Sequence, residues 1–441
     1  MSAAEGESAE KSGELAGSAG LAGSPGKHAR GPRRNPSIGA IFLTVVLDLL
    51  GFGLVLPFLA EEARDNFHTT AFVGTLLGAV YSLMQFLFVP VWGRLSDRVG
   101  RRPVLVWSVA ASAIGMAGLG FAIGFGNSVF WLFFARIFSG IATANLGTAS
   151  AYIADITKPE DRARGLGFIG MAFGIGFIIG PAVGGVLSEI RINGHTGAVA
   201  CFLAAALSVI NFVWVLFGLP ESLPPEKRTK VRSLRPLDLV AARRVLEDKS
   251  VARAILVNFL IVVSFTNLDQ TFRYFNKDMF GMDQSGTGKL FAMIGVVAAL
   301  TQGGLIRPLT KRYDLKPLVA IGAAIQVISF SAIAISPSVG KALLYASGAL
   351  LAVGNGITQA TVSGYISKRA SATEQGAVLG TSQSVASLAR VFGPALGGLL
   401  YGELGPRSPY VAAAVGMAVA LTFAFGLKPS NDPVTTAPQA T

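Results

Sequence analysis

Apolar residues fill long stretches of this chain, and charged residues fall in short clusters between them. A helix needs about 20 largely apolar residues to cross a bilayer, and neither strand alternation nor the one-sided stripe of a soluble helix describes such runs. The pattern predicts twelve spans. Six lie at 38–59, 70–92, 103–123, 129–152, 165–187 and 197–219, and six at 254–275, 288–309, 317–336, 342–366, 377–401 and 410–427.

Composition agrees with this pattern. Of 441 residues, 51% are apolar and 14% charged, against roughly 25% charged in soluble proteins. The 53 glycines suit closely packed membrane helices. The net charge of +12 invites a nucleic-acid reading, but position argues against one. With both tails and the even-numbered loops on one face, and Arg307 and Lys289 at the ends of the eighth span counted with the loops they adjoin, 28 of the 37 Lys and Arg lie there and 6 on the other. The remaining Arg136, Arg273 and Arg390 fall within spans. The positive-inside rule then predicts a multi-pass protein of the cell membrane with both termini cytoplasmic. The expected order is a disordered tail (1–36), a first bundle (37–219), a cytoplasmic linker (220–250), a second bundle (251–428) and a tail (429–441). The first tail is too polar for a signal-peptide core.

The two bundles repeat one another. Gly180-Pro-Ala-Val-Gly-Gly-Val-Leu187 recurs as Gly393-Pro-Ala-Leu-Gly-Gly-Leu-Leu400, displaced by 213 residues. The same displacement carries Tyr152-Ile153 onto Tyr365-Ile366. Parallel repeats of six helices predict a pseudo-two-fold axis along the membrane normal, with substrate held between the halves at mid-membrane.

Between the second and third spans the chain reads Gly93-Arg94-Leu95-Ser96-Asp97-Arg98-Val99-Gly100-Arg101-Arg102-Pro103. The glycines suit a tight turn, and Asp97 can serve a helix N-terminus. This string resembles the signature loop of the major facilitator superfamily. The resemblance implies an all-α membrane protein with that family's fold: twelve transmembrane helices in two pseudo-symmetric six-helix bundles. It also implies a gate in which Asp97 bridges to the start of the eleventh span. The arginines of the loop (Arg98, Arg101, Arg102) would pair with an acid ending the fourth span, here Asp155. In the second copy Lys311 stands where Asp97 would map, so the lock is expected on one side only.

Gly176, Gly180, Pro181, Gly184 and Gly185 crowd the fifth span. Small residues at this spacing allow close helix approach, and Pro181 removes a backbone hydrogen bond. The string resembles the antiporter motif of the drug-efflux branches; tight packing alone is the other reading.

Ionisable groups inside spans are costly and mark a function or a partner. Asp48 is expected roughly 15 Å into the first span, where a buried carboxylate can cycle between its protonated and charged forms. Arg136 reaches a similar depth in the fourth. They are candidates for proton coupling, or for a static ion pair. Asp269 and Arg273 are four residues apart in the seventh span and can neutralise each other. Arg390 has no evident partner and is expected to meet Asp269 or an anionic substrate. Gln85, Asn211, Asp269, Gln326 and Arg390 complete the substrate-cavity candidates. Phe52, Phe58, Tyr81 and Tyr274 read as lipid-facing or packing residues.

Residues 40–222 resemble the tetracycline-efflux group of drug:proton antiporters, through Leu47-Asp48, Gly51-Phe-Gly-Leu-Val-Leu-Pro57, Tyr81-Ser-Leu-Met-Gln85, Arg136-Ile-Phe-Ser-Gly140, Ala151-Tyr-Ile-Ala-Asp-Ile156 and Leu219-Pro-Glu-Ser222. That likeness implies proton-coupled export of an amphipathic compound. Gly115 and Gln326 stand near positions where that group carries aspartates, which argues against tetracycline itself. A metabolite symporter and a non-transporting scaffold are the other readings. No nucleotide-binding or hydrolase motif is present, so neither an enzyme nor an ATP-driven pump is expected. No metal or cofactor is expected. The expected partners are a small-molecule substrate, the proton gradient and the lipid bilayer, with no nucleic acid, and the protein is expected to be a monomer.

Overall fold

The computed structural model describes residues 36–126, 128–158, 162–187, 190–228, 243, 245–369 and 375–429. The expected tails and most of the basic linker, including Lys230, Arg232, Arg235 and Arg244, lie outside the described residues.

Helices occupy all twelve predicted positions. In the first half they are α1 (Ile38–Asp65), α2 (Ala71–Val99), α3 (Arg101–Gly124), α4 (Val129–Ala142), α5 (Leu146–Ile156), α6 (Arg162–Leu187) and α7 (Ala198–Gly218). The second holds α8 (Lys249–Phe280), α9 (Gln284–Leu300), α10 (Ile306–Arg312), α11 (Leu315–Val339), α12 (Lys341–Arg369), α13 (Gln375–Leu404) and α14 (Ser408–Phe425). Ten helices among the described residues are long and apolar enough to cross a membrane. Arg162–Leu187 and Lys341–Arg369 are not among those ten. Lys341–Arg369 carries Ser347, Asn355, Thr358, Gln359 and Thr361, which dilute its apolar character.

Surface and interior are reversed relative to a soluble protein. Trp107, Phe217, Phe125 and Leu404 are exposed, while Arg136, Asn211, Asn276 and Gln326 are buried. An apolar exterior around polar packing suits lipid, where buried polar groups must find partners inside the bundle.

Packing repeats between the halves. α1 lies on α6 and α7 as α8 lies on α13 and α14, and α3 on α7 as α11 on α14. The junction of the halves repeats too, with α6 on α9 and α2 on α13.

Two expected spans are interrupted. The fourth breaks after Ala142 and resumes at Leu146. The eighth passes through a π-helical turn, Thr301–Leu305, before Ile306–Arg312. A broken helix in a membrane is tolerated only where other groups satisfy its backbone. In the fourth span the Trp92 indole donates to the Ile141 carbonyl at 2.7 Å, Ser108 Oγ to Ala142 at 2.5 Å, and Gln85 Nε2 to Thr143 at 3.4 Å.

The expected loop at 93–102 is almost wholly helical. α2 runs to Val99 and α3 starts at Arg101, leaving Gly100 alone to reverse the chain. Its φ of +109° is open to glycine and strained for other residues. Gly93, by contrast, is helical and has open space around it.

Candidate functional site

The break in the fourth span builds a polar cluster next to the junction of the halves. Asn145 donates from Nδ2 to Asp48 Oδ2 at 2.8 Å. Asp48 Oδ1 is buried with no hydrogen-bond partner. Asn211 lies against Asp48 and donates to the Thr44 carbonyl at 3.0 Å. No ion pair joins Asp48 to Arg136 among the described residues. Arg136 instead donates from Nε to the Leu77 carbonyl at 3.3 Å and sets its guanidinium 4.1 Å from the Tyr81 ring centre.

Tyr81 organises this cluster. It is 3% exposed and stacks on Phe52 at 5.1 Å between ring centres. Thr143 Oγ1 donates to its hydroxyl at 2.7 Å, and Gln85 Nε2 approaches the same oxygen at 3.1 Å. Arg390, across the junction on α13, lies within electrostatic range of Tyr81. Arg136 thus rests on this phenol, while Arg390 of the other half acts on it only electrostatically. The aromatic expected to be a packing residue is the hub, and its i, i+4 spacing from Gln85 was the available signal.

Several expected partnerships take another form. Arg390 does not meet Asp269; it donates from Nη2 to Ser387 at 2.8 Å on its own helix. Asp269 accepts from Gln270 at 3.0 Å, and Arg273 pairs with Glu61 of α1 rather than with Asp269. Gln326 is fully buried between α11 and α12, donating to Thr358 at 2.7 Å. Gln85 and Asn211 both have their carboxamide nitrogens engaged inside the first half.

At the signature string, Arg101 donates from Nε to Asp155 at 3.0 Å and from Nη1 to Asp97 at 2.5 Å. Among the described residues Asp97 therefore pairs within its own half; the start of the eleventh span near Gly376, its expected partner, lies among side chains outside the described ones. Arg102 donates to the Leu216 carbonyl at 2.5 Å. The carboxylate at the N-terminus of α3 is Glu221. It accepts from the backbone nitrogens of Arg101 at 2.8 Å and Arg102 at 3.2 Å. Its only sequence signal was its place in Leu219-Pro-Glu-Ser222.

The glycines of α6 serve two faces. Gly176 and Gly180 press on α1 at Leu49 and Gly53, within one half, while Gly185 meets Gly288 of α9 across the junction. Gly184 and Pro181 are buried beside them. The second repeat does the same 213 residues later. Gly393 presses on Thr266, the counterpart of Gly53, and Gly398 meets Thr75, the counterpart of Gly288.

The end of the molecule opposite Gly100, here the far end, is closed by charged residues that the sequence reading left unassigned. Arg64 clasps Asp278 through two nitrogens at 2.8 and 3.2 Å and also bonds Asp65 at 3.0 Å. Lys277 pairs with Asp65, and the Tyr274 hydroxyl donates to the Ala60 carbonyl. Tyr401 donates to Asp278 at 2.7 Å, and Arg64 lies 4.4 Å from the Tyr274 ring centre.

The description "Major Facilitator Superfamily" matches residues 41–385 and 304–440. The chain belongs to the major facilitator superfamily. It is a multi-pass membrane transporter of that family and not an enzyme. The class C tetracycline resistance protein of Escherichia coli is 34% identical over 399 residues, 88% of this chain and 96% of that protein. Major facilitator superfamily domain-containing protein 10 of Bos taurus is 29% identical, over 86% of this chain and 90% of that one. Among solved structures, the human organic anion transporter MFSD10 superposes with a TM-score of 0.68 at 24% identity, covering 88% of this chain and 98% of that one. The nucleoside transporter NupG (D323A mutant) gives 0.67 at 18% identity, covering 88% and 99%. Both of these structures establish the fold alone.

Proposed function

We propose that this major facilitator exports amphipathic small molecules in exchange for protons across the cell membrane. The observation that carries the reading is Asp48: a carboxylate held by Asn145, with Asn211 beside it and no cation in contact among the described residues. Such a group can hold a proton or the cationic group of a substrate, but not both, which is the competition an antiporter needs. Arg136 supplies the counter-charge when Asp48 is ionised. Gln85, Asn211, Asp269, Gln326 and Arg390 remain candidates for substrate contact. The likeness to tetracycline resistance proteins supports export.

In the same reading both termini and the basic linker are cytoplasmic, so the far end faces outward. Asp97, Arg98, Arg101, Arg102 and Asp155, with Gly93 and Gly100, form the cytoplasmic gate. Asp97 exchanges its pairing with Arg101 for one with α13 when that side closes. Gly176, Gly180, Pro181, Gly184 and Gly185 let α6 slide against its neighbours.

The experiment is susceptibility profiling of cells expressing the wild type or Asp48→Asn, with and without a protonophore. Resistance to a lipophilic compound is expected with the wild type alone and is lost with either change. Full gradient-driven export by Asp48→Asn overturns the assignment.

A second reading is favoured by one observation: Arg136 and Arg390, one intramembrane cation in each half, form no ion pair among the described residues. Two such cations suit an organic anion carried together with a proton. In acid-loaded everted vesicles an antiporter releases luminal protons when substrate is added; a symporter does not.

A further inference from the structure

The contacts that close the far end have an internal symmetry. The displacement of 213 residues that relates the halves carries Arg64 onto Lys277 and Asp65 onto Asp278. The pair Arg64–Asp278 therefore maps onto Lys277–Asp65, its own neighbour in the structure. The same operation turns the Arg273–Glu61 pair into the Tyr274–Ala60 contact. All four contacts are exchanged among themselves, as in an isologous interface where one patch meets its own copy. A two-fold axis between the halves passes between the crossed pairs.

We infer that this reciprocal clasp is the gate of the far end, which must come apart each time the transporter opens on that side. Three features fit a gate better than permanent glue. Its main groups sit at the rim: the side chains of Lys277, Asp278 and Asp65 are 44%, 33% and 29% exposed, so water can take them up when they part. Each opened half also keeps a partner at hand. Arg64 already bonds Asp65 on its own helix, and Asp278 already accepts from Tyr401 of its own half. Lastly, the separated ends carry opposite charge. Glu61, Arg64 and Asp65 leave one side at −1; Arg273, Lys277 and Asp278 leave the other at +1. The open clasp is therefore drawn closed again, and that attraction weakens as salt rises.

The inference rests on the family's two-state motion, not on the identity of substrate or coupling ion. Its test is a distance across the far end. Ile190→Cys and Glu403→Cys are exposed positions, one in each half, to be spin-labelled in the full chain with buried Cys201 replaced by Ala. The wild type is expected to show mainly the short distance. Arg64→Asp sets three acids of α1 against Asp278 and is expected to raise the ratio of long to short distance about tenfold. Adding Asp278→Arg rebuilds the pair with its charges exchanged and is expected to restore the wild-type ratio. Asp65→Lys, alone and with Lys277→Asp, is the independent second series, run on protein that remains monodisperse. If a single reversal leaves the distances unchanged, or the double variants are no closer to wild type than the singles, the clasp is not a gate. Gradient-driven export by Asp48→Asn would overturn the antiport reading and leave this outcome untouched.

Discussion

Asn145 donates its side-chain nitrogen to Asp48 across the gap between the fifth and first helices, at 2.8 Å. The contact exists because the fourth span is broken: an unbroken helix would place residue 145 in the continuing spiral rather than at its interruption.

Replacing Asn145 by Ala removes the 2.8 Å hydrogen bond on Asp48 and leaves Asn211 as its remaining polar neighbour. Transport in proteoliposomes is expected to fall about tenfold, an effect of roughly 1.4 kcal/mol, while the thermal midpoint drops only slightly. A variant that transports at the wild-type rate removes Asn145 from the cycle.

The glycines of α6 separate folding from motion. Gly180→Val meets backbone atoms of Gly53 within one half. It is expected to abolish accumulation of folded protein, since overpacking a tight contact costs about 1–3 kcal/mol or more. Gly288→Val meets the backbone of Gly185 across the junction, and is expected to fold, bind substrate and fail to turn over. Binding by tryptophan fluorescence together with vesicle uptake distinguishes the two.

Glu221→Ala removes the acceptor of two backbone hydrogen bonds at the start of α3. A loss of about 1–2 kcal/mol is expected, as for a deleted helix cap. The measurement is unfolding in detergent, with Glu221→Gln recovering part of the loss.

Gly115→Asp tests the substrate argument. A side chain at residue 115 runs into Ser139 and Phe138. The carboxylate is expected to destabilise the α3–α4 contact and to confer no tetracycline resistance. Resistance measured by growth inhibition would reverse that reading.

The fold was legible because each span is a run of apolar residues bounded by charge, and the 213-residue repeat fixes its duplication. The two interruptions were not. Thr143-Ala-Asn145 is short enough to leave the surrounding hydropathy intact, and the Gly303-Gly304 pair inside Thr301–Leu305 does not stand out in a chain with 53 glycines. Asp48 stood out as an acid in an apolar run. Its partner Asn145 did not, because an uncharged amide in a span reads equally as an interhelical bond. Gln326 shows the converse, a polar residue aimed at Thr358 rather than at the junction. The far-end residues were passed over because charges at helix ends are explained by topology alone; only applying the repeat to them, Arg64-Asp65 onto Lys277-Asp278, would have exposed the relation.

An adjacent base and acid is among the shortest patterns that can complement a reversed image of itself. Two bases or two acids would repel their own reflection. A single ancestral gene for six helices bearing Arg-Asp or Lys-Asp at this place would encode both sides of the seam, so two of its products could meet here before any fusion joined them. Once fused, the copies were free to diverge, as Arg64 and Lys277 have, provided that every change of sign on one strand of the seam was answered on the other.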